Sequence, residues 1–245
     1  GVLGDNPARN ARVEEVSAHY RHLGGFSPFN EATYAQARAL EQALGIPVFT
    51  GFRHWAPYVK DVVSDLAAKG HRCLLAVILA PHQSSVSWDW YIKVVHEALD
   101  PLGKSAPEVA FLDPWWAHPK FVEAVSDRVL ERLAAWPEAR AQKAELVFTA
   151  HAIPEALART SPYERQFRET AEAVAKRLRR PFSVAYQSGP EHPAIPWTGP
   201  DISTFLKEHA APGRDFVAVP VGFLCDNVEI LYDLDVAARG EAESR

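Results

Sequence analysis

Residues 218–235, Ala-Val-Pro-Val-Gly-Phe-Leu-Cys-Asp-Asn-Val-Glu-Ile-Leu-Tyr-Asp-Leu-Asp, decide the fold. The stretch begins as an apolar strand, bends at Pro220 and continues into an acidic helix. Asp226, Glu229 and Asp233 are spaced three and four residues apart, which places side chains on one face of a helix. Because open α/β sheets bind ligands where their strands end, the sequence predicts a carboxylate cluster at a ligand-binding edge.

A second apolar strand is predicted at 145–150 and leads directly into His151, with Pro154 fixing the following turn. If the two strands are parallel, their carboxyl ends meet at one edge, and His151 faces the acidic helix. An imidazole beside carboxylates suits a divalent transition metal and proton transfer. We therefore expect a metal-handling or acid–base site at this edge.

Structural readings compete with this one at both positions. Asp226 and Glu229 have the spacing of a capping box, in which Asp226 would cap the helix and Glu229 would reach back to it. A histidine after an apolar strand is, taken alone, more often structural than catalytic.

Two long segments carry a family resemblance. Residues 149–154, Thr-Ala-His-Ala-Ile-Pro, resemble the Ser-Ala-His-x-Leu-Pro motif of ferrochelatases, and residues 219–235 resemble their Pro-x-Gly-Phe-x-x-Asp-x-x-Glu-x-Leu-Tyr-x-x-Asp signature. Shorter matches extend the resemblance over nearly the whole chain: residues 19–20, 24–28, 79–84, 161–163, 186–188 and 196–200.

The resemblance implies insertion of Fe²⁺ into a porphyrin in haem biosynthesis, with release of two protons. The ring would be protoporphyrin IX or coproporphyrin III. His151 and Glu229 would be the catalytic residues and would also bind the metal, which is a substrate and not a resident cofactor. Asp226 and Asp233 are candidates for a metal relay leading to that pair.

Four further residues are predicted to contact the porphyrin. Trp197 lies in the turn-rich Pro-Trp-Thr-Gly loop, where an exposed apolar ring needs a ligand to cover it. His82 follows a predicted strand of the first half, as His151 does in the second, and we expect it to line the cleft without being the base. The family motifs add Ser27 and Pro220.

Three other functions are weighed against this one. A related chelatase would load cobalt or nickel into an earlier tetrapyrrole, but the resemblance implies two histidines there instead of a His/Glu pair. A non-catalytic porphyrin or haem carrier would tolerate loss of His151 or Glu229. A nucleotide-binding module is disfavoured because no Gly-rich phosphate loop follows any predicted strand.

Composition excludes several partners. The 245 residues are 47% hydrophobic and carry a formal net charge of −5 without a long basic run, which argues against nucleic acid. No apolar run is long enough for a transmembrane segment, although peripheral membrane contact stays open.

Two cysteines suit a cytoplasmic protein and are too few for the four-cysteine iron–sulfur cluster of some ferrochelatases. We expect a monomer with no permanently bound cofactor.

Alternating strands and helices predict an α/β fold. The resemblance implies two Rossmann-like domains, residues 1–113 and 114–245, each a parallel sheet flanked by helices as in class II chelatases. The first domain lacks a counterpart to the strand before His151, so we expect a trimmed chain with exposed apolar edges at 48–50 or 73–79. Strands are predicted at 48–51, 73–79, 109–112, 146–148, 183–186 and 216–219, and helices at 30–44, 57–69, 88–99, 163–178 and 201–209.

Overall fold

The computed structural model describes residues 7–190 and 193–244. Its strands are β1 Cys73–Ala76, β2 Glu108–Phe111, β3 Glu145–His151, β4 Phe182–Gln187 and β5 Phe216–Val219. Its α-helices are α1 Pro7–His22, α2 Phe29–Leu44, α3 Val59–Ala68, α4 Trp88–Leu99, α5 Pro119–Ala134, α6 Glu138–Lys143, α7 Glu155–Thr160, α8 Tyr163–Leu178, α9 Ile202–His209, α10 Val228–Tyr232 and α11 Arg239–Glu243. A 3₁₀ turn spans Asp100–Ser105 and a π-helix spans Asp233–Ala238.

The sheet of the first half has two parallel strands, β1 and β2. The helices α3 and α4 pack together through Val59, Val63 and Ala98. On β1 and its continuation, Leu75 and Leu79 are 61% and 44% exposed. Alternate apolar side chains are therefore exposed on one face of 73–79, and the predicted exposure of a strand edge stays a prediction.

The strand predicted at 48–51 is wrong. This segment forms no strand, and an isolated bridge between Phe52 and Tyr58 follows it. The reason is the lack of a neighbour, because within the described residues β1 pairs with β2 alone. An extended segment without a paired strand keeps no ladder of hydrogen bonds.

The sheet of the second half has three parallel strands in the order β4-β3-β5. Leu146 and Phe148 of the central strand are 0% exposed and pack towards α8, whereas Val147 faces α9 and α10. Helices thus cover both faces of this sheet, which explains its continuous apolar strands. The predicted α/β class with parallel sheets and flanking helices is confirmed.

Contacts to α8 join the two halves. The Thr170 hydroxyl lies 3.0 Å from Nε2 of His82, and the Gln83 amide donates to Oε1 of Gln166 at 2.6 Å. The indole of Trp116, just past the predicted boundary at residue 113, donates to Glu169 at 2.6 Å. The division into two domains stays a prediction. Among the described helices, none combines the length and apolarity needed to cross a bilayer.

Candidate active site

The site lies at the end of β3, where the turn that follows β5 packs against this strand. A Cβ on Gly222 would come within 2.9 Å of both Cα and Cβ of Ala150, closer than side chains pack. The Gly222 amide donates to the Thr149 carbonyl at 3.3 Å. Glycine at this position therefore lets the turn lie directly on the strand that carries His151.

Helix α10 begins at Val228, and its cap is Asn227. The Asn227 side-chain oxygen accepts from the amides of Glu229 at 2.8 Å and Ile230 at 3.2 Å. The alternative in which Asp226 caps the helix is wrong, because Asp226 lies one residue too early. Glu229 is accordingly the second residue after the cap and not the third, so it is not the reciprocal member of a capping box.

The structure brings His151 and Glu229 together. Nε2 of His151 lies 3.8 Å from Oε1 of Glu229, and the side chains are 37% and 47% exposed. Nδ1 of His151 lies 2.5 Å from the carbonyl oxygen of Ala152. A carbonyl can only accept, so Nδ1 carries the hydrogen, and in the neutral ring Nε2 has a lone pair facing Glu229.

Opposing influences act on the pKa of His151. Partial burial is the largest and lowers the pKa, because it disfavours the charged ring. The hydrogen bond and charge of Glu229, the Ala152 carbonyl and the charge of Asp233 outweigh burial and raise the pKa above its ordinary value. The imidazole is thus a stronger base than a free histidine.

Asp233 lies one turn after Glu229, at the start of the π-helix, a distortion often found at functional sites. Its Oδ2 accepts from the Ser188 hydroxyl at 2.5 Å. Burial is the main reason that the pKa of Asp233 is raised; Ser188 and His19 lower it, and the charges of Glu229 and Asp201 raise it. His19 also stacks on Tyr232, with ring centroids 3.6 Å apart.

The single stripe of three carboxylates is not formed. Asp226 precedes the helix and is exposed. With Pro220 and Asp235 it lines a groove of about 690 Å³ along β5 and the helices after it. The relay role of Asp226 and Asp233 and the porphyrin contact of Pro220 stay predictions, but only Asp233 lies close enough to influence His151.

His82 is 2% exposed. The Thr170 hydroxyl has one hydrogen, which it donates towards the carbonyls of Trp116 and Gln166 at 2.9 and 3.1 Å. Nε2 of His82 must therefore donate to Thr170, and burial lowers the pKa of His82 to about 3. The porphyrin contact of His82 stays a prediction, and its hydrogen bond to Thr170 joins the two halves.

Trp197 and Ser27 are both partly buried. Trp197 packs against the core of the second half, and its loop pairs with Pro154 just after His151. Ser27 accepts from the Phe29 amide at 3.3 Å, at the turn into α2. Their porphyrin contacts stay predictions.

Tyr163, Ser188 and Asn227 are site residues for which no role was predicted from the sequence. Their signal was available, since Tyr163 and Ser188 lie in the short segments of the family resemblance and Asn227 lies in the long one. The motifs do not indicate which hydrogen-bond partner each of these three side chains has. Within the described residues, no cluster of three or more His, Cys, Asp or Glu side chains is arranged to hold a metal ion. The pair His151 and Glu229 is thus the candidate metal contact.

Comparison with known proteins bears on the whole chain. The family model described as Ferrochelatase matches residues 7–245. Coproporphyrin III ferrochelatase of Frankia alni is 38% identical over 98% of this chain and 66% of its own length. That of Mycobacterium leprae is 34% identical over 95% of this chain and 71% of its own. A ferrochelatase of Herpetosiphon aurantiacus is 34% identical over 98% of this chain and 81% of its own. The chain thus spans about two thirds to four fifths of these relatives' length, and it belongs to the ferrochelatase family.

Proposed function

We propose that this chain inserts ferrous iron into coproporphyrin III, with release of the two pyrrole protons. One observation carries the proposal: the Nε2 lone pair of His151 is oriented towards a partly exposed carboxylate at the end of β3. Such a pair can both contact Fe²⁺ and accept protons. Membership of the ferrochelatase family supports the reaction class.

The proton steps follow from the tautomer of His151. Nε2 accepts a pyrrole proton, and the resulting imidazolium is stabilised by Glu229 at 3.8 Å. The imidazolium then gives this proton to the Glu229 carboxylate, which is 47% exposed and can release it to solvent. The pair then returns to its starting state and accepts the second proton in the same way.

Iron transfer needs weak ligands. An imidazole nitrogen and a carboxylate oxygen bind Fe²⁺ without the strength of a set of thiolates. Because His151 and Glu229 offer one donor group each, iron bound between them keeps positions for the porphyrin nitrogens, and the ion must leave Nε2 of His151 before that lone pair accepts a pyrrole proton. Asp233, whose charge already influences His151, is the nearest candidate for delivering the ion.

The printed names of relatives favour coproporphyrin III. Those of Frankia alni, Mycobacterium leprae and Geobacillus thermodenitrificans all name this ring. The Herpetosiphon aurantiacus relative is named only ferrochelatase, so protoporphyrin IX is the comparison substrate.

The test is anaerobic incubation of the full chain with Fe²⁺ and either porphyrin, followed by absorbance. We expect faster insertion into coproporphyrin III. Glu229→Gln and His151→Ala should each lower kcat/KM by at least about a hundredfold, as removal of an acid–base group does. Glu208→Gln, an exposed acid on α9, is the matched control and should keep parent activity.

Other results would point elsewhere. Near-normal turnover of Glu229→Gln would remove the acid–base assignment. Insertion of Co²⁺ or Ni²⁺ but not Fe²⁺ would indicate the related chelatase. Tight porphyrin binding without insertion of any metal would indicate a carrier.

A cytoplasmic location and a monomeric state complete the proposal. The location is supported by Cys73 and Cys225, which form no disulfide and so suit a reducing compartment. Sedimentation at increasing concentration would test the monomer, since a dimer would sediment faster as concentration rises.

A further inference from the structure

The carbonyl oxygen of His151 lies beyond the reach of the neighbouring strand. β3 pairs with β5 only over residues 145–148, where Phe148 is opposite Val219. In a strand the backbone groups of alternate residues point to the same side. The carbonyls of Thr149 and His151 therefore both face the side on which β5 has ended, and each needs another donor.

Two different groups supply those donors. The Gly222 amide donates to the Thr149 carbonyl at 3.3 Å. The phenol hydroxyl of Tyr163 donates to the His151 carbonyl at 2.9 Å. On the other side of β3, the Ala152 amide donates to the Gln187 carbonyl at 2.8 Å. Tyr163 thus takes the place of a missing strand at the residue that carries the imidazole.

The Tyr163 side chain is itself held firmly. It is 6% exposed, and as the first residue of α8 it belongs to the buried stripe with Phe167 and Thr170. Its ring meets the ring of His82 edge to face, with centroids 6.1 Å apart. Burial is the largest of the influences that raise the pKa of Tyr163, so its hydroxyl keeps the proton that it donates.

We propose that Tyr163 is a positioning residue, whose hydroxyl holds the His151 peptide so that Nδ1–H stays on the Ala152 carbonyl and Nε2 faces Glu229. The His151 carbonyl and the Ala152 amide belong to one peptide plane. Rotation of that plane shifts Cα of Ala152 and with it the Ala152 carbonyl. The hydrogen bond from Nδ1 to this carbonyl is then weaker. The imidazole then gains access to the other tautomer, in which Nε2 carries hydrogen and cannot accept a proton.

The test is Tyr163→Phe, which removes the hydroxyl and keeps the ring. Tyr186→Phe is the matched control, because Tyr186 is 0% exposed and its hydroxyl donates to Glu164 at 2.6 Å, not to His151. The first readout is the ¹⁵N spectrum of His151, which distinguishes the two tautomers. We expect Nδ1–H to predominate in the parent and in Tyr186→Phe, and a mixture in Tyr163→Phe.

The second readout is metal insertion, and this arm rests on the proposed function. Tyr163→Phe should lower kcat about tenfold to a hundredfold, the scale of a misplaced catalytic group, with KM for porphyrin changed less than about twofold. Tyr186→Phe should keep parent kcat. A parent without insertion activity would defeat the proposed function, while the tautomer spectrum would still decide the role of Tyr163.

Two outcomes would overturn the inference. One is an unchanged tautomer and kcat in Tyr163→Phe. The other is a much larger fall in melting temperature for Tyr163→Phe than for Tyr186→Phe, because the hydroxyl would then support the fold as a whole and not the site.

Discussion

The two sheets of this protein contain similar sequences in different surroundings. In the second half, Leu146 is 0% exposed, and helices cover both faces of the sheet. In the first half, Leu75 is 61% exposed on a sheet of two strands. Both are leucines in short parallel strands, so the burial of a strand residue depends on the neighbouring elements and not on the residue type.

The difference matters for the site. His151, Glu229, Asp233 and Tyr163 all belong to the covered half, where packing restricts the backbone. A site on a closely packed scaffold keeps its geometry better than one on a loosely covered sheet. The first half contributes contacts such as His82 to Thr170.

The largest expected effect is a loss of stability that depends on the burial of the truncated leucine. Leu146→Ala should lower the free energy of unfolding by about 2–5 kcal/mol, through lost burial and a cavity. Leu75→Ala makes the same chemical change at an exposed position and should cost less than about 0.5 kcal/mol. Urea denaturation of both variants measures this. Equal losses would mean that the exposed face of β1 is covered in solution.

A second prediction concerns acid sensitivity where the halves meet. Burial lowers the pKa of His82 from 6.5 to about 3, so the folded state takes up a proton less readily than the unfolded chain. His82 therefore contributes its full stability above about pH 6.5, and loses it as the pH falls towards 3. The loss should reach about 3 kcal/mol by about pH 4.

His82→Gln keeps an amide donor for Thr170 without a titratable ring. The variant should therefore reduce the dependence of the unfolding free energy on pH between about pH 6.5 and pH 4. The exposed His96 of α4 offers the control His96→Gln, which should keep the parent slope. An unchanged slope in His82→Gln would show that the histidine is solvated in solution.

A third prediction compares one added methyl group in each half. Gly222→Ala places a Cβ 2.9 Å from the Ala150 backbone, within the covered sheet. It should cost about 1–3 kcal/mol, the usual range for overpacking. Gly51→Ala places a Cβ 3.1 Å from the Val59 backbone, beside a segment without a strand. Thermal melts should show the smaller loss for Gly51→Ala; the reverse order would contradict the greater rigidity of the second half.

The smallest expected effect concerns the contribution of Asp233, at the candidate site, to the free energy of unfolding. Burial raises the pKa of Asp233, so its contribution to stability is present below the ordinary aspartate pKa and is lost as the pH rises through the raised one. Asp233→Asn should thus match the parent near about pH 4 and be more stable at neutral pH, by at most the ~1 kcal/mol of one hydrogen bond. Asp226→Asn, at an exposed acid, is the control. A less stable Asp233→Asn at neutral pH would show that Ser188 outweighs burial.

Much of the fold could be predicted because it follows local patterns. The bounds of α4, α8 and β5 agree with the sequence prediction, since their apolar periodicity and flanking Gly or Pro residues are local. The strand at 48–51 failed because its hydrogen bonds require a neighbour. The family resemblance was confirmed by comparison with known proteins, while the roles of the individual site residues stay predictions.

The sequence by itself determined the α/β class, the family and the proximity of His151 and Glu229, because strand order and residue spacing are written along the chain. Only the tertiary structure decided that Asn227 and not Asp226 caps α10, that Asp226 faces a different groove, and that Tyr163 donates to the His151 carbonyl. These depend on hydrogen bonds and packing between segments, whose distances and directions no local pattern specifies.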